Sequence, residues 1–212
     1  MNIQSDISLV TLTRQGDQTA FRHLVEMYQR PIYSLCYRML GDAGAAEDAA
    51  QEVFIRAYYK LEWYDQERKF SNWLYAIASH YCLDQLKLKR RRLQPVSLEA
   101  LPGWGQISGQ PHVQPERLLL QAETSSEVQN LLASLRPACR LPVILKYWHD
   151  MSCEEIAQAL DTSVSAVKSK LFRARKTMAQ ALKQQAASDP ASNPVQASFG
   201  QLAVAGGYLC SS

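Results

Sequence analysis

Apolar positions recur every three to four residues from about residue 7 to residue 92, with few breakers between them, which predicts a series of helices. β-Branched residues rarely alternate with polar ones, so strand signals are almost absent. Within Ala45 to Tyr64, Ala50, Val53, Phe54, Ala57 and Leu61 define a core face. Asp48, Gln51, Glu52, Ile55, Tyr59 and Glu62 lie opposite. Acids mixed with an outward Ile and Tyr suit docking against a basic, partly apolar partner. A charged exterior with two incidental apolar residues is the alternative that wheel geometry leaves open. A polar connection bracketed by aromatics follows, from Trp63 to Phe70. The next predicted helix runs from about Ser71 to Arg92, with Trp73, Leu74, Ile77, Ala78 and Tyr81 on its apolar face. It ends in Lys87-Leu88-Lys89-Arg90-Arg91-Arg92, five cations in six residues. Cations also complement the negative end of a helix dipole. So dense a run beside Trp, Tyr, Phe and His nevertheless fits nucleic-acid contact better, because aromatics hold unstacked bases while cations follow the backbone. His80 falls on one line with Trp73, Ile77 and Asp84; with no second His at ligand spacing, a structural histidine is its bland alternative.

The pattern breaks at Gln94 to Gln121, where Pro95, Pro102, Gly103, Gly105, Gly109, Pro111 and Pro115 fall close together and mark a linker. Helical patterning resumes near Glu116 or Ala122 and continues to about Gln185. Val128, Leu131, Leu132 and Leu135 predict a helix ending before Pro137, which suits the first turn of the next. Pro142, six positions in, should remove a hydrogen bond and bend that helix, and Tyr147 and Trp148 read as core aromatics. Ser152 with Glu155 forms a capping box before Ile156, Ala157 and Leu160. Asp161-Thr162-Ser163 then gives a tight turn, with Ser163 as the next N-cap.

In the last helix Val164, Val167, Leu171, Ala174 and Met178 form a buried stripe. The outer surface carries Ser165, Lys168, Ser169, Phe172, Arg173 and Lys176, flanked by Lys170 and Arg175. No acid occurs from Thr162 to Ser188, whereas five cations lie between Lys168 and Lys176. A short helix pair, a three-residue turn and one-sided charge together favour a DNA-binding helix-turn-helix over a solvated basic helix. Lys168 and Arg173 can reach base edges; Lys170, Arg175 and Lys176 can neutralise phosphates.

Composition narrows the picture further. The 212 residues carry 23 Lys plus Arg against 20 Asp plus Glu, so clustering of charge, rather than its sum of +3, points to nucleic acid. Five scattered cysteines without a CxxC pair predict reduced thiols, no metal site and a cytoplasmic location. Neither a secretion signal nor an apolar run of membrane-spanning length is apparent. An enzyme is poorly supported, since there is no Gly-rich phosphate loop, HExxH or nucleophile elbow. No cofactor or small-molecule substrate is expected.

Four segments in order and spacing resemble the small, extracytoplasmic-function (ECF, group IV) sigma factors of bacterial RNA polymerase. They are Ala46-Glu-Asp-Ala-Ala-Gln-Glu-Val-Phe54, Phe70-Ser-Asn-Trp-Leu-Tyr-Ala-Ile-Ala78, Ser152-Cys-Glu-Glu-Ile-Ala157 and Val164-Ser-Ala-Val-Lys-Ser-Lys-Leu-Phe-Arg-Ala-Arg175. The resemblance covers about residues 5 to 184. It implies an all-α chain of two small helical domains joined by a flexible linker, the C-terminal one a helix-turn-helix. The expected partition is 1–94 as region 2, 95–125 as linker, 126–187 as region 4 and 188–212 as a disordered tail.

By this resemblance, Asp48, Gln51, Glu52 and Ile55 dock on the clamp helices of core RNA polymerase. The minus-ten element meets Phe70, Trp73, His80, Lys87, Lys89, Arg90 and Arg91, with His80 standing where relatives often carry Asn. The minus-thirty-five element meets Ser165, Lys168, Ser169, Lys170, Phe172, Arg173 and Arg175. The implied partners are core RNA polymerase, promoter DNA and an anti-sigma factor, in a stress or envelope response. Two DNA contacts one and a half turns apart are separated by roughly 50 Å, and an extended linker reaches about 100 Å. A stand-alone repressor or activator using the same helix-turn-helix is the rival; it would footprint DNA without polymerase, usually as a dimer.

Overall fold

The computed structural model describes residues 3–93 and 119–188, and every regular element in those stretches is helical. The first comprises α1 (Ile3–Arg14), α2 (Gln18–Leu40), α3 (Ala43–Lys60), a short 3-10 helix (Leu61–Trp63) and α4 (Phe70–Leu93). The second comprises α5 (Leu119–Ser134), α6 (Pro137–Trp148), α7 (Cys153–Ala159) and α8 (Val164–Ser188).

Helix α2 is the spine of the first unit. Asp17 accepts from the Thr19 and Ala20 amides at its N-terminus, satisfying donors that have no helical partner. Leu24, Tyr28, Ile32, Leu35 and Met39 bury one stripe along it. Pro31 lies within the helix, where it forgoes one backbone hydrogen bond. Gly41 ends it at φ 76°, a left-handed conformation that glycine adopts without the Cβ penalty. Asp42 then caps α3 through the Ala45 amide at 2.7 Å. The predicted Ala45–Tyr64 helix is thus shorter at its far end, finishing at Lys60 before the 3-10 helix. Arg14 stops α3 from continuing by donating to the carbonyls of Leu61 (2.8 Å), Glu62 (3.2 Å) and Tyr64 (2.6 Å). Val53 and Ala57 on α3 and Leu61 in the 3-10 helix are buried as expected, while Ala50 and Phe54 are only half-buried.

In the second unit Pro137 stands in the first turn of α6, and Pro142 is accommodated inside that helix, fully buried. Tyr147 corrects the expectation of a core aromatic: it is exposed. Trp148 is half-buried. The Ser152–Glu155 capping box forms in both directions, at 3.0 and 2.8 Å. Asp161 sits at φ 47° in the turn, and Ser163 accepts from the Ala166 amide to begin α8. Of the stripe that the spacing predicts, Val167, Leu171, Ala174 and Met178 are buried and Val164 is half-buried.

The two units do not stand apart. A single apolar cluster runs through both, joining Leu35, Met39 and Tyr75 with Leu131, Leu141, Ile144 and Ile156. Of the predicted linker 95–125, residues 119–125 belong to α5; its remainder lies outside the described residues, as do 189–212 of the expected tail. No helix among the described residues is long and apolar enough to cross a membrane.

Candidate nucleic-acid and polymerase interfaces

On α3 the charged face stands clear of the core. Asp48 and Gln51 are exposed and Ile55 is 52 % exposed. Glu52 is half-buried and paired with Arg56 at 2.7 Å. Tyr59, at 73 %, extends this face toward a groove of about 490 Å³ between α2 and α3, lined by Phe21, Arg22, Phe54, Ile55, Tyr58 and Tyr59. The share from α2 was invisible in the local sequence pattern, because Phe21 and Tyr58 meet edge-to-face only once the helices pack (centroids 4.9 Å).

The start of α4 is built from interlocked aromatics. Phe70 contacts Tyr28 (5.4 Å), Tyr64 (5.4 Å) and Trp73 (5.5 Å), all at tilted or edge-to-face angles. Phe70 is only 2 % exposed. Its side chain is therefore buried rather than displayed, against the expectation of a surface contact, and it packs on the half-buried Trp73. Tyr28 in turn donates to Asp6 at 2.7 Å, and burial together with that carboxylate pushes the phenol well above its ordinary range. The connection before α4 is held by the Tyr64 hydroxyl donating to the Arg68 carbonyl and by Asp65 accepting from the Glu67 amide. An immobilised loop of this kind loses little entropy when it takes a ligand.

Further along α4, His80 is exposed, and Lys87, Lys89, Arg90 and Arg91 project into solvent. Lys87 pairs with Asp84 at 2.9 Å, and that hydrogen bond holds the Asp84 carboxyl below its usual range. Among the site residues predicted on α4, those before Tyr81 and those after Leu86 therefore form two patches, one aromatic and one cationic.

On α8, Ser165, Lys168, Ser169, Arg173 and Arg175 are exposed, and Phe172 is 65 % exposed. Lys170 is half-buried, consistent with a flanking position. The Arg173 guanidinium donates to the Ser169 carbonyl at 3.2 Å, which keeps it along the helix. One residue type after another on this surface can donate to base edges or phosphates.

Two stretches match family models: residues 24–92 match "Sigma-70 region 2" and residues 125–178 match "Sigma-70, region 4". The chain is 37 % identical to the ECF RNA polymerase sigma factor SigW of Bacillus subtilis over 174 residues, which is 80 % of this chain and 92 % of that one. The chain belongs to the ECF sigma factors. It is also 33 % identical to the ECF RNA polymerase sigma-E factor of Escherichia coli K12 over 177 residues, covering 82 % and 92 % of the two chains. A solved structure of CnrH in complex with the cytosolic domain of CnrY shares the fold, with TM-score 0.62 and 23 % identity over 85 % of this chain and 98 % of that one.

As an ECF sigma factor it binds core RNA polymerase and directs initiation at promoters, and sigma factors are initiation factors rather than catalysts. Several residues of this sigma factor escaped the sequence reading: Arg14, Gln129, Arg140 and His149. Each acts on a backbone or ring far away in sequence, so no local spacing announces it.

Proposed function

We propose that the exposed α3 surface of Asp48, Gln51, Glu52 and Ile55 docks on core RNA polymerase. Trp73, His80 and the Lys87–Arg91 cations then open and hold the minus-ten element, with Phe70 supporting Trp73 from below. Ser165, Lys168, Ser169, Phe172 and Arg173 read the minus-thirty-five element, with Lys170 and Arg175 on phosphates. Residues 1–94 form the polymerase and melting unit, 126–187 the duplex-reading unit, and the chain works in the cytoplasm. An anti-sigma factor holds it in check; CnrH and the RpoE of Bartonella quintana, which share its fold, are described in complexes with CnrY and with the anti-sigma factor NepR.

One observation carries this reading: a single chain displays an acid-and-apolar surface on α3 and an acid-free, cation-rich one on α8. The first repels DNA and suits a basic protein partner, while the second suits DNA. Opening DNA costs a few kcal/mol per unstacked step, and capturing a base on an aromatic returns about 1–3 kcal/mol. Melting therefore draws on polymerase binding energy.

Run-off transcription with core polymerase over a genomic promoter library tests the assignment. New start sites should appear only when chain and polymerase are both present. Tight operator footprints from the chain alone, with no redirected start sites, would refute it.

A further inference from the structure

The groove between α2 and α3 is chemically unlike the docking surface beside it. Its walls are aromatic: Phe21 meets Tyr58 edge-to-face at 4.9 Å, and Tyr58 meets Tyr59 at 6.1 Å. Ile55, Tyr58 and Tyr59 all stand exposed, so much of this apolar lining faces water. Contiguous exposed apolar surface of this kind marks a docking site. Asp48 and Glu52 make the neighbouring surface of α3 acidic. No acid lines the groove, and its single charged lining residue, Arg22, is a cation. A basic partner therefore gains no charge attraction there. What the groove suits is an apolar segment free of positive charge.

The chain supplies such a segment. Helix α8 ends at Ser188, and the sequence runs on through residues 189–212. No cation occurs there, and Asp189 is the one acid. Within it, Phe199-Gly-Gln-Leu-Ala-Val-Ala-Gly-Gly-Tyr-Leu209 is uncharged and carries Phe199, Leu202, Val204, Tyr208 and Leu209. The match to region 4 stops at residue 178, and the alignment with SigW spans 92 % of that protein but 80 % of this chain. The fold shared with the family thus does not account for this apolar run. Reach is no obstacle. From Ser188 to Leu209 the extended chain spans up to about 70 Å, against a radius of gyration near 15 Å for a body of about 160 residues. A tethered segment meets its own protein at a roughly millimolar effective concentration, so even a weak contact fills the groove.

We propose that the segment Phe199–Leu209 seats its apolar side chains in the groove between α2 and α3 of its own chain, covering Ile55 and competing with core RNA polymerase for α3. The segment lowers the fraction of chain ready to dock, and polymerase binding displaces it. The competition, though not the seating, rests on the assignment of α3 as the polymerase surface.

Hydroxyl-radical footprinting of the full chain, resolved by peptide mapping, reads the cover directly. The comparison is with Leu202→Lys plus Val204→Lys, whose cations would be brought against Arg22. Ile55, Tyr58 and Tyr59 should react about threefold more slowly in the unaltered chain, as an occupancy of about two thirds gives. Tyr147, exposed on α6, should react equally in both. The variant should also bind core polymerase about threefold more tightly, since a competitor for Ile55 has been removed. Equal reactivity of the groove residues in both proteins overturns the proposal. Protection that grows with protein concentration assigns the groove to a second copy and overturns it as well. So does protection that appears only when core polymerase is added. Protection lost in the variant with polymerase affinity unchanged upholds the seating, and the assignment of α3 to polymerase fails instead.

Discussion

The starts of α4 and α8 are both proposed DNA surfaces, yet they are built in opposite ways. At the start of α4 the side chains are packed: Phe70 is buried, Trp73 half-buried, and Lys69 is already paired. Along α8 they stand in solvent, with Phe172 65 % exposed and no acid from Thr162 to Ser188. Duplex recognition asks for little beyond display, because the groove brings its own fixed pattern of donors and acceptors. Capturing an unpaired base asks for a pre-shaped site, since the base arrives with its stacking energy already spent. Rigidity is therefore invested where the ligand is floppy and withheld where it is stiff.

The largest expected effect breaks the packed side of this contrast. Phe70→Ala should cost about 3–5 kcal/mol, seen as a lower midpoint in thermal unfolding. Phe70→Leu should restore most of the stability while leaving Trp73 less well supported and promoter opening weaker. An unchanged midpoint for Phe70→Ala would mean the aromatic cluster does not brace this end.

Charge reversal on α3 comes next. Asp48→Lys with Glu52→Lys should weaken polymerase binding by roughly 2–4 kcal/mol, measured by pull-down or titration. The helical circular dichroism should stay intact, since Asp48 is exposed and Glu52 pairs only within α3. Unchanged pull-down would remove α3 as the docking surface.

On the displayed side, Lys168→Ala should cost about 1–3 kcal/mol at one base position and relax preference there. Uniform weakening across promoter variants would instead make Lys168 a phosphate contact. The contrast sharpens if Lys168→Ala leaves thermal stability untouched.

Acidity should act most gently, and on the boundary between the units. Burial, and then the Arg38 charge, lower His149 to about 4, against a partly compensating Asp150; the Tyr75 ring packs on it from α4. Below its ordinary value of 6.5 the opened or unfolded chain takes up a proton that the closed one refuses. Packing of the two units is thus strongest above pH 6.5 and weakens as pH falls toward 4. Small-angle scattering should show expansion between pH 7 and 5. In His149→Phe that expansion should be smaller; an equal expansion would place the titrating group elsewhere.

How much of this was legible beforehand depends on the range of each interaction. The capping box at Ser152, the turn at Asp161 and the stripe from Val167 to Met178 are written in neighbours three or four residues apart, and all were readable. So was the outward character of Asp48, Ile55 and Lys168. The burial of Phe70 was not legible, because the resemblance that put it against DNA does not show that Tyr28 and Tyr64 close over it. Tyr147 was misplaced for the converse reason: apolar character did not bring a neighbour to cover it.

By itself, then, the order of residues determined the helices, their caps, and which surfaces carry acid, cation or aromatic. Local periodicity and charge suffice for that, since each depends on groups within a turn or two. Only the tertiary structure decided that α4 is buried on two sides, that Arg140 and Gln129 complete the end of α2, and that Glu155 rests on Lys69. Those bonds join groups 86 to 101 residues apart, and a partner at such a distance becomes visible only when packing brings it to hydrogen-bonding range.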